Sequence, residues 1–223
     1  MKKMNLTELI ERVREINNIP IETIPDIELY MDQLLNFLNQ RLNPDGRKTD
    51  SQIFTKTMIN NYTKDRILIP PKNKRYSKQH ILLLILIYNL KGILSISDIK
   101  RLFEPILRDI DTPDDDLIPL ESIYSTYLDL TETALNEFSE NFGKYLSFID
   151  NKTKHLEGEA NVNVAKLFLS VLVLIAQANL SKKMAELILE SYFPPVSAIE
   201  DVKGIDCPLA LDAADGKSLE KTV

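Results

Sequence analysis

The residues best suited to chemistry lie between Thr55 and Ser77. Thr55 can accept a hydrogen bond from the backbone at Met58 and so start a helix. Met58, Ile59 and Tyr62 then share one face at helical spacing and pack inward. Lys56, Thr57, Asn60, Asn61 and Lys64 are left on the outer face. An Asn amide can bond adenine through two atoms at once, and Lys reaches guanine or a phosphate. This face therefore holds side chains suited to reading a DNA major groove. Arg66 follows. Pro70 and Pro71 then open a stiff basic loop that contains Lys72, Asn73, Lys74, Arg75 and Tyr76. Such a loop can lie on a phosphate backbone or beside a minor groove. These eleven side chains are the candidate DNA-binding residues.

Helices must position them, because the periodicity of the chain is helical almost throughout. Leu6, Leu9, Ile10, Val13 and Ile16 form a first stripe. Pro25 and Asp26 suit the start of a second helix, with Ile27, Tyr30, Met31, Leu34, Leu35 and Leu38 on one face and a turn at Asn43-Pro44-Asp45-Gly46. Ser77 caps a helix running from Lys78 to Leu90. It is apolar on nearly every side, so it belongs at the centre of a core. Ile67-Leu68-Ile69 could form a short β element, and no convincing strand pair is legible. Ser97 caps a helix carrying Ile99, Leu102, Phe103 and Ile106.

An acidic linker over 109–119 separates this part from a second helical part. There, apolar residues recur at three and four from Leu120 to Ile149, as one long helix or two nearly collinear ones meeting near Gly143. A further helix is expected over 161–178. A last helix, capped by Ser181, runs to Pro194. The expected fold class is all-α: a basic helix-turn-helix module over residues 1–110, a C-terminal helical domain over 111–195, and a disordered tail over 196–223.

Composition removes many alternatives. The chain has 223 residues, a single Cys, 2 His, 6 Gly and no Trp. One Cys forms no internal disulfide, which points to a reducing compartment. No export signal is present, and the apolar runs Ile81 to Tyr88 and Leu167 to Ala176 are short of the ~20 residues that span a bilayer. A cytoplasmic location and buried core helices are expected. The formal charge of −6 hides an uneven distribution: residues 41–101 carry 13 Lys or Arg against 4 Asp or Glu, a local +9, leaving −15 elsewhere. A basic block of that kind suits a polyanion partner.

Other candidate chemistry is weak. His80 reads as a cap or packing residue and His155 as part of a solvated turn, with no further ligands spaced to make a zinc site. Asp114-Asp115-Asp116 lacks the alternating ligands and turn glycine of a calcium loop. Cys207 lies in the expected tail. No nucleophile elbow, phosphate loop or dinucleotide fingerprint occurs, so neither an enzyme nor a cofactor is expected. In the C-terminal part, Tyr124, Tyr127, Phe138, Phe142, Tyr145 and the Leu167 to Ile175 run offer more apolar surface than two helices obviously cover. Core packing is the plain reading. A homodimer interface or a hydrophobic effector pocket is the sharper one.

The block around residues 50–106 resembles the winged helix-turn-helix of MerR-type regulators. The counterparts are Thr55, Tyr62, Leu68-Ile69-Pro70-Pro71, Lys74-Arg75-Tyr76-Ser77, the Ile81 to Leu90 helix and Leu94-Ser-Ile-Ser-Asp-Ile99, with a shorter wing. Leu29-Tyr-Met-Asp-Gln33, Thr55-Lys-Thr-Met-Ile-Asn-Asn-Tyr62 and Lys74-Arg-Tyr-Ser-Lys-Gln-His80 are also similar to a bacterial domain of unknown function, the 1836 family. The resemblance implies a DNA-binding transcriptional regulator acting on double-stranded DNA. The 55–64 helix would read the groove and residues 70–76 would serve as a wing. The alternative is a helical protein–protein interaction module of the same shape without DNA binding.

Overall fold

The computed structural model describes residues 5–17, 19–43, 52–107, 119–155 and 158–193. The Asp114–Asp116 run, Cys207, the expected tail and most of the 43–46 turn lie outside these residues. The described chain is all-α apart from one minimal sheet. Its elements are α1 (Leu6–Asn17), a 3-10 turn (Ile21–Thr23), β1 (Leu29–Tyr30), α2 (Met31–Leu42), α3 (Lys56–Lys64), β2 (Arg75–Tyr76), α4 (Lys78–Leu90), α5 (Ile96–Leu107), α6 (Leu120–Thr153) and α7 (Glu159–Tyr192).

Helix α4 is the centre of the core, as its composition predicts. Every residue from His80 to Ile87 is buried, and Leu34, Leu38, Phe54, Ile59, Ile67 and Ile99 close around it with no exposure above 0%. The same cluster extends from Ile19 to Tyr124. The first turns of α6 thus contribute Leu120 and Tyr124 to this core. Tyr124 is fully buried, and its hydroxyl donates to the Ile19 carbonyl at 2.8 Å. Burial pushes the Tyr124 phenol up to about 12, so it holds its proton and remains a donor.

Four local expectations are corrected. The helix expected at Asp26 begins instead at Met31, because Leu29 and Tyr30 pair antiparallel with Tyr76 and Arg75 in a two-residue clip. The Ile67-Leu68-Ile69 run is not a strand; Ile67 and Leu68 plug the core from a loop. The cap of α5 is Ser95, not Ser97: its hydroxyl accepts from the Asp98 backbone at 3.1 Å and bonds the Asp98 carboxylate at 2.6 Å. Ser181 caps nothing, since α7 is one continuous helix of 34 residues.

Helices α6 and α7 form a long antiparallel hairpin. At ~1.5 Å per residue, each 34-residue helix is about 50 Å long. Near the tip, Lys166 pairs with Asp150 at 2.7 Å. At the base, the Arg101 guanidinium of α5 donates to the carbonyls of Phe193 at 2.7 Å and Leu189 at 3.0 Å. A cation thus sits on the last carbonyls of α7, where the Leu189 carbonyl also accepts from the Phe193 N–H at 3.0 Å. Helix α1 packs on α6, where Arg14 donates to the Asn136 side chain at 3.1 Å and pairs with Glu132 at 3.3 Å. A groove of about 660 Å³ between α6 and α7 is lined by Tyr145, Phe148, Ile149, Leu169, Leu172 and Val173. The expectation of a buried Leu167–Ala176 core helix is overturned: Leu167 is 71% and Phe168 62% exposed. One window of α7 reaches a mean hydropathy of 1.8 with none of it buried, so the helix is long and apolar enough to cross a membrane.

Candidate nucleic-acid interface

Helix α3 is set in place from its N-terminal side. The Asn39 side chain of α2 brackets the Phe54 backbone: its amide donates to the Phe54 carbonyl at 3.2 Å and its oxygen accepts from the Phe54 N–H at 3.1 Å. That fixes Phe54 in the core, edge-on to Tyr62 with ring centroids 6.5 Å apart. Lys91 lies over the Phe54 ring at 4.7 Å and donates to the Ile53 carbonyl at 3.3 Å. Part of the basic count of the segment is therefore structural. The next residue, Thr55, accepts from the Met58 N–H at 3.2 Å and starts the helix as expected. Ile59 and Tyr62 turn inward, and burial pushes the Tyr62 phenol up.

The opposite face is open. Lys56, Thr57, Asn60, Asn61 and Lys64 are all exposed. The helix ends at Asp65, and Arg66 takes φ +58° while the Ile67 and Leu68 N–H groups donate to the Tyr62 carbonyl at 2.9 and 3.1 Å. A residue in this left-handed region satisfies the last carbonyls of a helix, a place usually given to Gly. The Arg66 side chain is exposed.

The basic loop is a tight turn. Lys72 and Arg75 form an antiparallel bridge, and the Arg75 N–H donates to the Lys72 carbonyl at 2.9 Å. Asn73 and Lys74 between them have φ +52° and +62°. Positive φ at both central positions is the signature of a type I′ turn, whose twist suits a two-residue hairpin. Lys72, Asn73, Lys74 and Arg75 are exposed. Tyr76 is not: it is 4% exposed and belongs to the core, because strand alternation turns it inward one residue after Arg75. Tyr76 is therefore removed from the candidate set as a side chain. It sits edge-on to His80 at 5.3 Å.

His80 has the capping role expected of it. Its Nδ1 accepts from the Ser77 N–H at 3.0 Å and lies 2.9 Å from the Ser77 hydroxyl. Desolvation lowers its pKa, outweighing the backbone carbonyls of Pro70 and Ile69 and the charge of Glu28. The ring is thus neutral, with Nδ1 free to accept.

Acidic residues that sequence reasoning overlooked stand beside three of the basic ones. Lys56 pairs with Asp32 at 2.7 Å, and Lys78 with Asp26 at 2.9 Å. Arg75 lies 3.7 Å from Glu28 and covers the Tyr30 ring at 5.3 Å. The β1–β2 clip brings Glu28 to Arg75 and Asp26 near Lys78 across long stretches of chain, and two-residue strands leave no periodic trace. The Asn39 bracket is equally hidden, since nothing in a local window marks an Asn that binds backbone 15 residues away. Arg66, Asn73 and Lys74 have no ion pair among the described residues. Those residues hold no group of His, Cys, Asp and Glu arranged for a metal.

The class defined by this geometry is an all-α protein whose central apolar helix carries a short polar helix and a clipped basic turn on its surface. The family model of DUF1836, a domain of unknown function, matches residues 19–127. That span coincides with the core, which runs from Ile19 to Tyr124 with Tyr127 and Leu128 packed against it. No curated protein and no solved structure matches the chain.

Proposed function

We propose that this protein is a DNA-binding regulator that lays α3 in a major groove and the 72–75 turn on the adjacent phosphates. The carrying observation is the company kept by the left-handed residues. Arg66, Asn73 and Lys74 occupy positions where Gly is the least strained choice, yet each presents an exposed polar or cationic side chain. Strain retained at exposed polar positions is a mark of a working surface. The similarity of the block to MerR-type winged helix-turn-helix segments supports the same reading, and Lys72, Lys74 and Arg75 take the role of phosphate contacts.

The second reading, a protein-interaction module, is favoured by Asp26, Glu28 and Asp32, which offset Lys78, Arg75 and Lys56. Selection on random duplex DNA at several salt concentrations separates the two. DNA binding predicts an enriched motif and salt-sensitive retention. Replacing Lys72, Lys74 and Arg75 together by Ala should weaken binding to every sequence. It should also flatten the log–log salt slope by roughly 0.9 for each phosphate no longer neutralised. Asn60→Ala or Asn61→Ala should instead relax preference at one base pair by ~1–3 kcal/mol. No enrichment and no salt dependence leave the interaction module standing.

A further inference from the structure

We propose that the groove between α6 and α7 binds a compact fused-ring aromatic anion. The proposal is independent of what α3 binds. The groove measures about 660 Å³, within the roughly 300–1,000 Å³ of small-molecule sites. Tyr145, Phe148 and Ile149 of α6 form one wall, and Leu169, Leu172 and Val173 of α7 form the other. Both sets recur at three and four residues, so each is one face of its helix.

The ends of the groove set the size of its occupant. Toward the hairpin tip, Lys166 of α7 reaches across to Asp150 at 2.7 Å, one residue beyond Ile149. Toward the base lie Phe142, which is buried, and Phe138, stacked on it with ring centroids 5.4 Å apart. Between these ends the α6 wall runs from Lys144 to Ile149 and the α7 wall from Leu169 to Val173. At ~1.5 Å per residue neither wall exceeds about 8 Å. A docked helix needs anchors from i to i+7, about 10 Å of wall, and an extended acyl chain runs out of the ends. A fused ring system fills a short, wide space of this kind, and Tyr145 and Phe148 offer it aromatic partners.

Charge selects an anion. Lys144 lines the groove, and the Lys152 ammonium stands over the Phe148 ring at 5.4 Å. The two lysines lie one turn either side of Phe148. Neither has an ion pair among the described residues. Lys144 donates to the Asn141 amide oxygen at 3.3 Å, and a charge-assisted bond to an anion is the stronger alternative. No acidic side chain lines the groove, and neighbouring Asp150 is already held by Lys166.

The test uses the full chain and two probes. One is 1-anilinonaphthalene-8-sulfonate, a fused-ring anion, and the other is N-phenyl-1-naphthylamine, which has the same rings without the sulfonate. Fluorescence titration should give saturable binding of one anionic probe per chain. Lys144→Met combined with Lys152→Met should weaken the anion roughly five- to tenfold, the scale of two exposed charge contacts, and leave the neutral probe unchanged. Leu172→Trp fills the groove and should abolish saturable binding of both probes with an unchanged helical circular dichroism signal. Val173→Phe is a second filling variant. Leu167→Glu, two residues and about 200° round α7 from Leu169, should change neither probe. Absent or non-stoichiometric binding overturns the proposal, as does binding that survives a folded filling variant. Equal weakening of the two probes by the lysine substitutions refutes the choice of an anion. Loss of binding in Leu167→Glu moves the probes to the outer face of α7 and refutes the site.

Discussion

Replacing Lys74 by Gly should move stability and polyanion binding in opposite directions. Lys74 has φ +62° at the second central position of the type I′ turn. The left-handed conformation costs a non-glycine residue roughly 1–2 kcal/mol, and Gly removes that cost. The freer glycine also raises the entropy of the unfolded chain, which takes back about 0.4–1 kcal/mol. The net expectation is a gain of about 0.5 kcal/mol. For a chain of this size that corresponds to a rise in Tm of roughly 1–2 °C. The side chain is exposed, so it gives up little packing. The same substitution deletes one cation from the turn. If Lys74 contacts a phosphate, the salt slope for DNA should fall by about 0.9. Differential scanning calorimetry and salt-titrated DNA binding read the two effects separately. A lowered Tm would refute the strain argument. A raised Tm with an unaltered salt slope would show that Lys74 does not touch a phosphate.

Two further predictions concern how the surface is held. Asn39→Ala should leave the Phe54 N–H and C=O without their partners in a half-buried site, at a cost of ~1–3 kcal/mol, read as a lower denaturant midpoint with an unchanged m-value. His80→Gln tests the buried imidazole. The folded pKa of His80 is depressed, so the unfolded chain binds more protons between that value and the ordinary one near 6.5. Wild-type stability should therefore fall as pH drops below about 6.5, at no more than ~1.4 kcal/mol per pH unit from this group. Gln can still accept from the Ser77 N–H as a capping residue, so its stability profile should be flatter over that window. Parallel profiles would place the acid sensitivity elsewhere.

How much of this was legible depends on the range of the interaction. The central role of α4 follows from a run of apolar residues too long to leave any face polar. The inward set of α3, its Thr55 cap and the Ser77–His80 cap follow from contacts three or four residues apart, which a local window contains. The exposed cations of the 72–75 turn are legible too, because a turn of Lys, Asn, Lys and Arg has no use for burial. Tyr76 misled because one residue of strand alternation reverses a side chain, and the strand exists only where Leu29 and Tyr30 meet it. The acidic partners of Arg75 and Lys78 stand beside the same distant pairing, and that of Lys56 comes from the packing of α3 near α2.

The largest divergence is α7. Its apolar middle specifies a helix and a surface that favours being covered, and these the chain determined by composition alone. Whether it is covered depends on how many other helices the fold brings to it. Among the described residues the tertiary structure brings one along its length, α6, with α5 meeting its far end through Arg101, while α2 packs on α4 and α1 on α6. Local order in this protein is therefore written in short-range spacing. Which surfaces remain open was decided only when α4 had gathered its neighbours and the supply of helices ran out.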